Sequence, residues 1–123
     1  MAVGQTLPRE ERLRTTAGPR GTPALALSAW RGKSGRRYVV GIHKIGGIDP
    51  DVIGEAVVIA VRRDAPGYSA GIAQAVRVEA CAEASAVRAL LAGLPKACTE
   101  LHVHRLCEGD AERAAAVSDL TGA

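Results

Sequence analysis

Residues 24–45 read ALALSAWRGKSGRRYVVGIHKI, in which apolar side chains alternate on both sides of a short glycine-bounded turn. Alternation with a period of two is typical of β-strands, and such a turn joins antiparallel neighbours. We therefore predict a β-hairpin. If Gly32 pairs with Gly35, Trp30 lies opposite Arg37. One face of this hairpin then collects the apolar side chains of Leu25, Leu27, Ala29, Tyr38, Val40 and Ile42.

A second hairpin is predicted for residues 55–79, which read EAVVIAVRRDAPGYSAGIAQAVRVE, with its turn at Asp64–Gly67. The segment from Val57 to Val61 is apolar at every position, which is typical of a central strand covered on both faces. Four strands in an antiparallel meander place the first and third connections at the same end of the sheet. The arginines beside both turns are therefore expected to share one rim.

The remaining pattern predicts a helix over residues 80–94, a strand over 101–106 and a helix over 111–120. We predict one α+β domain over residues 23–123, with elements in the order β-β-β-β-α-β-α. Its sheet is mostly antiparallel with about five strands, and helices pack on at least one face. The crossover through the first helix predicts a fifth strand parallel to the fourth, lying beside it or beside the first strand. Proline and glycine punctuate residues 1–22, so a flexible basic arm is predicted there.

Composition limits the setting of this 123-residue chain. No apolar run reaches the roughly 18 residues of a membrane span, and the first 22 residues carry no apolar signal core. Three cysteines without CxxC spacing do not predict a disulfide framework, so a cytoplasmic location and no membrane partner are predicted. The net charge of +3 divides into +5 over residues 1–54 and −2 over residues 55–123.

The predicted rim is the first candidate binding site. Guanidinium groups suit carboxylates and phosphates, because their paired donors match paired oxygens. We therefore predict a small non-enzymatic binding or regulatory protein that presents this basic patch to an acidic protein surface, with nucleic acid as the alternative partner. Charged hairpin ends that only protect solubility would give the same pattern. The candidate binding residues are Arg31, Lys33, Arg36, Arg37, Arg62 and Arg63, with Trp30 beside them.

A second candidate site lies near the end of the chain. His102 and His104 are two residues apart, so on a strand both side chains point to the same face and can reach one metal ion. Cys107, His43 or Cys98 is the candidate third ligand, and two structural histidines beside a buried cysteine are the alternative. The sequence contains no Walker or GxGxxG motif, and we predict no cofactor and no enzyme. A small metal- or histidine-dependent hydrolase and a homodimer remain alternative interpretations.

Overall fold

A computed structural model describes residues 9–12, 26–63 and 72–122 of the chain. The strands are β1 (Arg9–Arg12), β2 (Leu27–Arg31), β3 (Arg37–Lys44), β4 (Ala56–Arg63), β5 (Ala73–Cys81) and β6 (Glu100–His104). The helices are α1 (Pro50–Ile53), α2 (Ala84–Ala92) and α3 (Asp110–Thr121), with a 3-10 turn at Ile45–Gly47. The predicted α+β class with an antiparallel sheet is confirmed, with six strands instead of about five. None of the described helices is long and apolar enough to cross a bilayer.

The additional strand, β1, comes from the segment predicted to be a basic arm. Arg9–Arg12 pairs with β2 at the edge of the sheet. The other residues of the predicted arm lie outside the described part of the chain, as does the predicted turn Asp64–Gly67.

The strand order is β1-β2-β3-β6-β4-β5, and every neighbouring pair is antiparallel. The predicted four-strand meander is therefore wrong, because β6 lies between β3 and β4. The two flanking strands both run antiparallel to β6, so they are parallel to each other. The predicted parallel relation of β5 and β6 is correct, but β4 separates them. A position inside the sheet suits β6, because its residues from Leu101 to His104 are buried on both faces.

The first hairpin has a register one residue away from the predicted one. Gly32 N donates to Arg36 O at 2.9 Å, Gly35 N donates to Gly32 O at 3.0 Å, and Gly35 has φ of +89°. This is a three-residue loop with a left-handed glycine, a common hairpin connection. Trp30 consequently pairs with Tyr38 and not with Arg37. Since a shift of one residue exchanges the two faces of a strand, Trp30 and not Ala29 shares a face with Tyr38.

Helices cover both faces of the sheet. The outer face packs against α1 and α2 through Ile53, Ala56, Val58, Ala60, Cys81, Val87, Leu90, Cys98, Leu101 and Val103. The inner face packs against α3 through Trp30, Tyr38, Val40, Val57, Ile59, Val61, Ala116 and Leu120. The sheet curls around the inner face, and β1 contacts β5. The two-sided burial predicted for β4 is confirmed.

Polar contacts supplement the small apolar face of α3. The carboxylate of Asp119 accepts hydrogen bonds from Ser34 N and Ser34 Oγ, both at 2.7 Å, and from the Tyr38 hydroxyl at 2.8 Å. Lys33 N also donates to Asp119 O at 2.9 Å. A Cβ atom at Gly32 would lie 2.3 Å from the Asp119 carboxylate, so only glycine allows this approach. These bonds fasten the helix to the first hairpin, which its apolar residues alone would hold weakly.

Candidate functional site

The arginines predicted to share a rim are divided between different parts of the fold. Because β3 and β4 run parallel, the turn that precedes Arg37 and the end of β4 at Arg63 lie at opposite ends of these two strands. The expectation that both hairpin connections leave the sheet at one end is therefore wrong. Arg62 donates a hydrogen bond to Gln74 on β5, away from the first hairpin.

Arg63 projects from β4 into a buried ionic cluster and has only 10% of its side chain exposed. Its Nε and Nη2 atoms donate to the Glu100 carboxylate, both at 2.8 Å. Its Nη1 and Nη2 atoms donate to the Glu10 carboxylate at 3.1 and 3.0 Å. One guanidinium therefore forms two paired-donor contacts with carboxylates from the edge strand β1 and the central strand β6.

His102 and Trp30 extend this cluster into the core of the inner face. Trp30 Nε1 donates to His102 Nδ1 at 2.8 Å, and the other ring nitrogen of His102 lies 2.9 Å from Glu100 Oε1. Since an indole only donates, Nδ1 must accept, and Nε2–H donates to Glu100. This tautomer is neutral, in agreement with a pKa for His102 that burial lowers. The hydrogen bonds from Arg63 hold the pKa of Glu100 at about 2.

Ser28 also belongs to the buried cluster. Ser28 Oγ donates to Glu10 Oε2 at 2.9 Å. No side-chain polar atom buried in the described part of the chain lacks a hydrogen-bond partner. A hydrogen-bonded network of this kind fixes the position of β1 against β6 and β4.

The predicted metal ligands do not converge. His102 and His104 share the inner face, but both His102 ring nitrogens are engaged, and His104 Nδ1 lies 2.8 Å from Val39 O. His43 pairs with Leu101 on the outer face, so a pocket that combines the three histidines is not formed. Cys98 belongs to the outer core, whereas Cys107 borders the inner core. Across residues 9–12, 26–63 and 72–122, no three His, Cys, Asp or Glu residues are grouped to hold a metal ion.

A basic surface persists at the first hairpin. Arg9, Arg31 and Arg37 occupy matched positions on β1, β2 and β3, so their side chains emerge on the same face. Glu11 lies among them, with Oε1 at 2.9 Å from Arg31 Nε and Oε2 at 3.1 Å from Arg37 Nε. The hydrogen bond from Arg31, together with the charges of Arg37 and Arg9, lowers the pKa of Glu11.

Two further cations lie at the turn of the hairpin. Lys33 and Arg36 are exposed, and the Arg36 guanidinium lies 5.3 Å from the centre of the Tyr38 ring, on the face of the hairpin opposite to the row of Arg9, Arg31 and Arg37. We call Arg9, Arg31, Lys33, Arg36 and Arg37 the hairpin patch. It retains four of the six predicted cations and adds Arg9, which sequence reasoning missed because a four-residue polar strand has no apolar alternation.

Trp30 is fully buried in the inner core and takes no part in the hairpin patch. Tyr38 is also buried, beneath Arg36 and with its hydroxyl bonded to Asp119. Desolvation and this hydrogen bond raise the pKa of Tyr38 to about 12. The surface is therefore cationic without an exposed aromatic ring among its described residues.

Comparison of the chain with protein-family models, curated proteins and solved structures gives no match.

Proposed function

We propose that this chain is a small non-enzymatic binding or regulatory protein whose hairpin patch receives an acidic surface of a partner protein. The carrying observation is the register of Arg9, Arg31 and Arg37, which sets three guanidinium groups side by side. With strands about 4.8 Å apart, the row spans about 10 Å. Glu11 contacts Arg31 and Arg37 at their Nε atoms, whereas each guanidinium group has five N–H donors.

An acidic protein suits this surface better than nucleic acid. Proteins that hold single-stranded nucleic acid combine cations with aromatic rings on which bases stack. The two aromatic residues of the hairpin, Trp30 and Tyr38, are both buried, so neither offers a stacking surface. The net charge of +3 is also small for a nucleic-acid-binding chain.

The test is capture of partners from the source cells with wild-type protein and with the double variant Arg31→Ala/Arg37→Ala. The matched control is Arg77→Ala/Arg88→Ala, which removes two exposed arginines that pair with Glu79 and Asp51. We expect a partner with an acidic surface to bind about tenfold more weakly to the patch variant, at about 0.7 kcal/mol per exposed contact, and normally to the control.

A third variant, Glu11→Gln, sharpens this test. Removing the carboxylate that competes for Arg31 and Arg37 should strengthen partner binding, the opposite direction from the alanine variants. Titration of the captured partner gives the affinities, and thermal unfolding checks that each variant is folded. Equal capture by all variants, or capture that nuclease treatment abolishes, contradicts the proposal.

The proposed setting is a reducing cytoplasm. Cys81, Cys98 and Cys107 are all free thiols, and burial raises the pKa of each. The homodimer predicted from the sequence stays a prediction that solution mass will test. No observation on the described residues favours the hydrolase alternative.

A further inference from the structure

The outer face of the sheet is apolar beyond the area that α1 and α2 cover. The outer core draws residues from β4, β5 and β6 and none from β2 or β3. On β3, Val39 points to this face and is 37% exposed. Leu106, two residues after β6, is 70% exposed. Two aliphatic side chains from separate segments thus lie near one part of the surface.

These side chains border a groove of about 180 Å³. Its lining includes Leu27, Val39, Gly41, His43, Arg105 and Leu106. None of its lining residues belongs to a described helix. An apolar cavity of about 150 Å³ accepts a benzene molecule, so this groove has room for one bulky apolar side chain.

The groove adjoins the arginine row of the hairpin patch, which lies on the same face of β3. Arg37, Val39 and Gly41 are alternate residues of that strand, and each step of two residues covers about 6.7 Å. Arg105 places a cation in the lining itself and is held by a hydrogen bond from its Nη2 to Val52 O at 2.8 Å. An apolar hollow is therefore bordered by guanidinium groups.

Two carboxylates adjoin this surface. Glu11 is paired with Arg31 and Arg37, and Asp49 lines a neighbouring hollow that shares His43 with the groove. The lining of the groove itself contains His43 and Arg105 but no acidic residue. A ligand seated there meets apolar atoms with positive charge beside them.

We propose that the groove binds a segment of a partner protein in which a bulky apolar side chain is flanked by carboxylates. The apolar side chain fills the space between Val39 and Leu106, and the carboxylates pair with Arg37 and Arg105. This proposal rests on the proposed function, because it uses the same hairpin patch. A second copy of the chain is the poorer occupant, since a two-fold contact through this face brings like charges together.

The test is selection from a random displayed peptide library on four immobilised baits, namely wild type, Leu106→Ser, Arg31→Ala/Arg37→Ala and Ile72→Ser. Ile72 is a matched control, because it is also 70% exposed and does not line the groove. We expect wild type and Ile72→Ser to enrich acidic peptides that contain a bulky apolar residue. A selected peptide should bind Leu106→Ser about tenfold more weakly than it binds the wild-type protein.

The baits separate this proposal from the function on which it rests. Enrichment of acidic peptides with no preference for an apolar residue, unchanged by Leu106→Ser, overturns the groove and leaves the hairpin patch. Peptides that bind Arg31→Ala/Arg37→Ala as well as wild type overturn both. If the wild-type protein self-associates in solution and Leu106→Ser abolishes this self-association, the groove binds a second copy of the chain and the proposal is overturned.

Discussion

Replacement of Arg63 by methionine tests the buried cluster most directly. The substitution keeps much of the side-chain volume but removes the cation that contacts Glu10 and Glu100. Those carboxylates are only 7% and 16% exposed, so neither can recover full hydration. Breaking a buried ion pair by removing one partner costs about 3–5 kcal/mol, because an uncompensated charge remains.

This loss should be large in a standard unfolding experiment. At about 4 °C per kcal/mol for a domain of this size, Tm should fall by roughly 12–20 °C. Trp30 is the only tryptophan and belongs to the same network, so its fluorescence reports urea unfolding without a label. The control is Arg88→Met, which breaks an exposed pair with Asp51 and should cost about 1 kcal/mol or less.

A rescue variant separates charge from packing. Adding Glu10→Gln and Glu100→Gln to Arg63→Met removes all three charges together, and should recover most of the lost stability. If Arg63→Met costs no more than Arg88→Met, the reasoning is refuted, because the cluster then behaves as a solvated surface pair.

The remaining predictions concern pH and the first hairpin. The free energy of unfolding should fall as pH drops from about 6.5 to about 2. In this range the unfolded chain binds more protons than the folded protein, because folding lowers the pKa values of His102 and Glu100. Urea midpoints that stay constant across this range would contradict the prediction. Gly32→Ala should cost about 1–3 kcal/mol, since its Cβ would collide with Asp119, whereas Gly46→Ala, with open space around it, should change the unfolding midpoint little. Equal midpoints for the two glycine variants would show that α3 is not fastened where the contacts place it.

The elements that depend on local sequence could be predicted. The strands of both hairpins follow from alternating apolar residues, and α2 follows from helical spacing. The register of the first hairpin could not, because Gly32 and Gly35 allow two loop lengths and only the geometry at Gly35 chooses between them. A shift of one residue in this register exchanges the faces of Trp30 and Ala29.

The features that depend on distant residues could not be predicted. The position of β6 follows from pairing with β3 and β4, and its sequence indicates only that it is buried on both faces. The contact of Arg63 with Glu10 joins residues 53 positions apart. The sequence around Arg63 and Glu10 resembles that of exposed charged residues, because no local pattern indicates an ion pair inside the sheet. Four of the six predicted rim cations share the hairpin patch for the local reason that they flank one turn.

The insertion of β6 between β3 and β4 sets an order for assembly of the chain. A ribosome completes both flanking strands before it reaches β6, so the nascent chain can form the three-stranded unit β1-β2-β3 and the hairpin β4-β5, with the edges of β3 and β4 still unpaired. They can join only when the final strand threads into the gap, which makes closure of the sheet a late and long-range event. Until then those edges are open to pairing with other chains, and this interval is when the protein should depend most on chaperones.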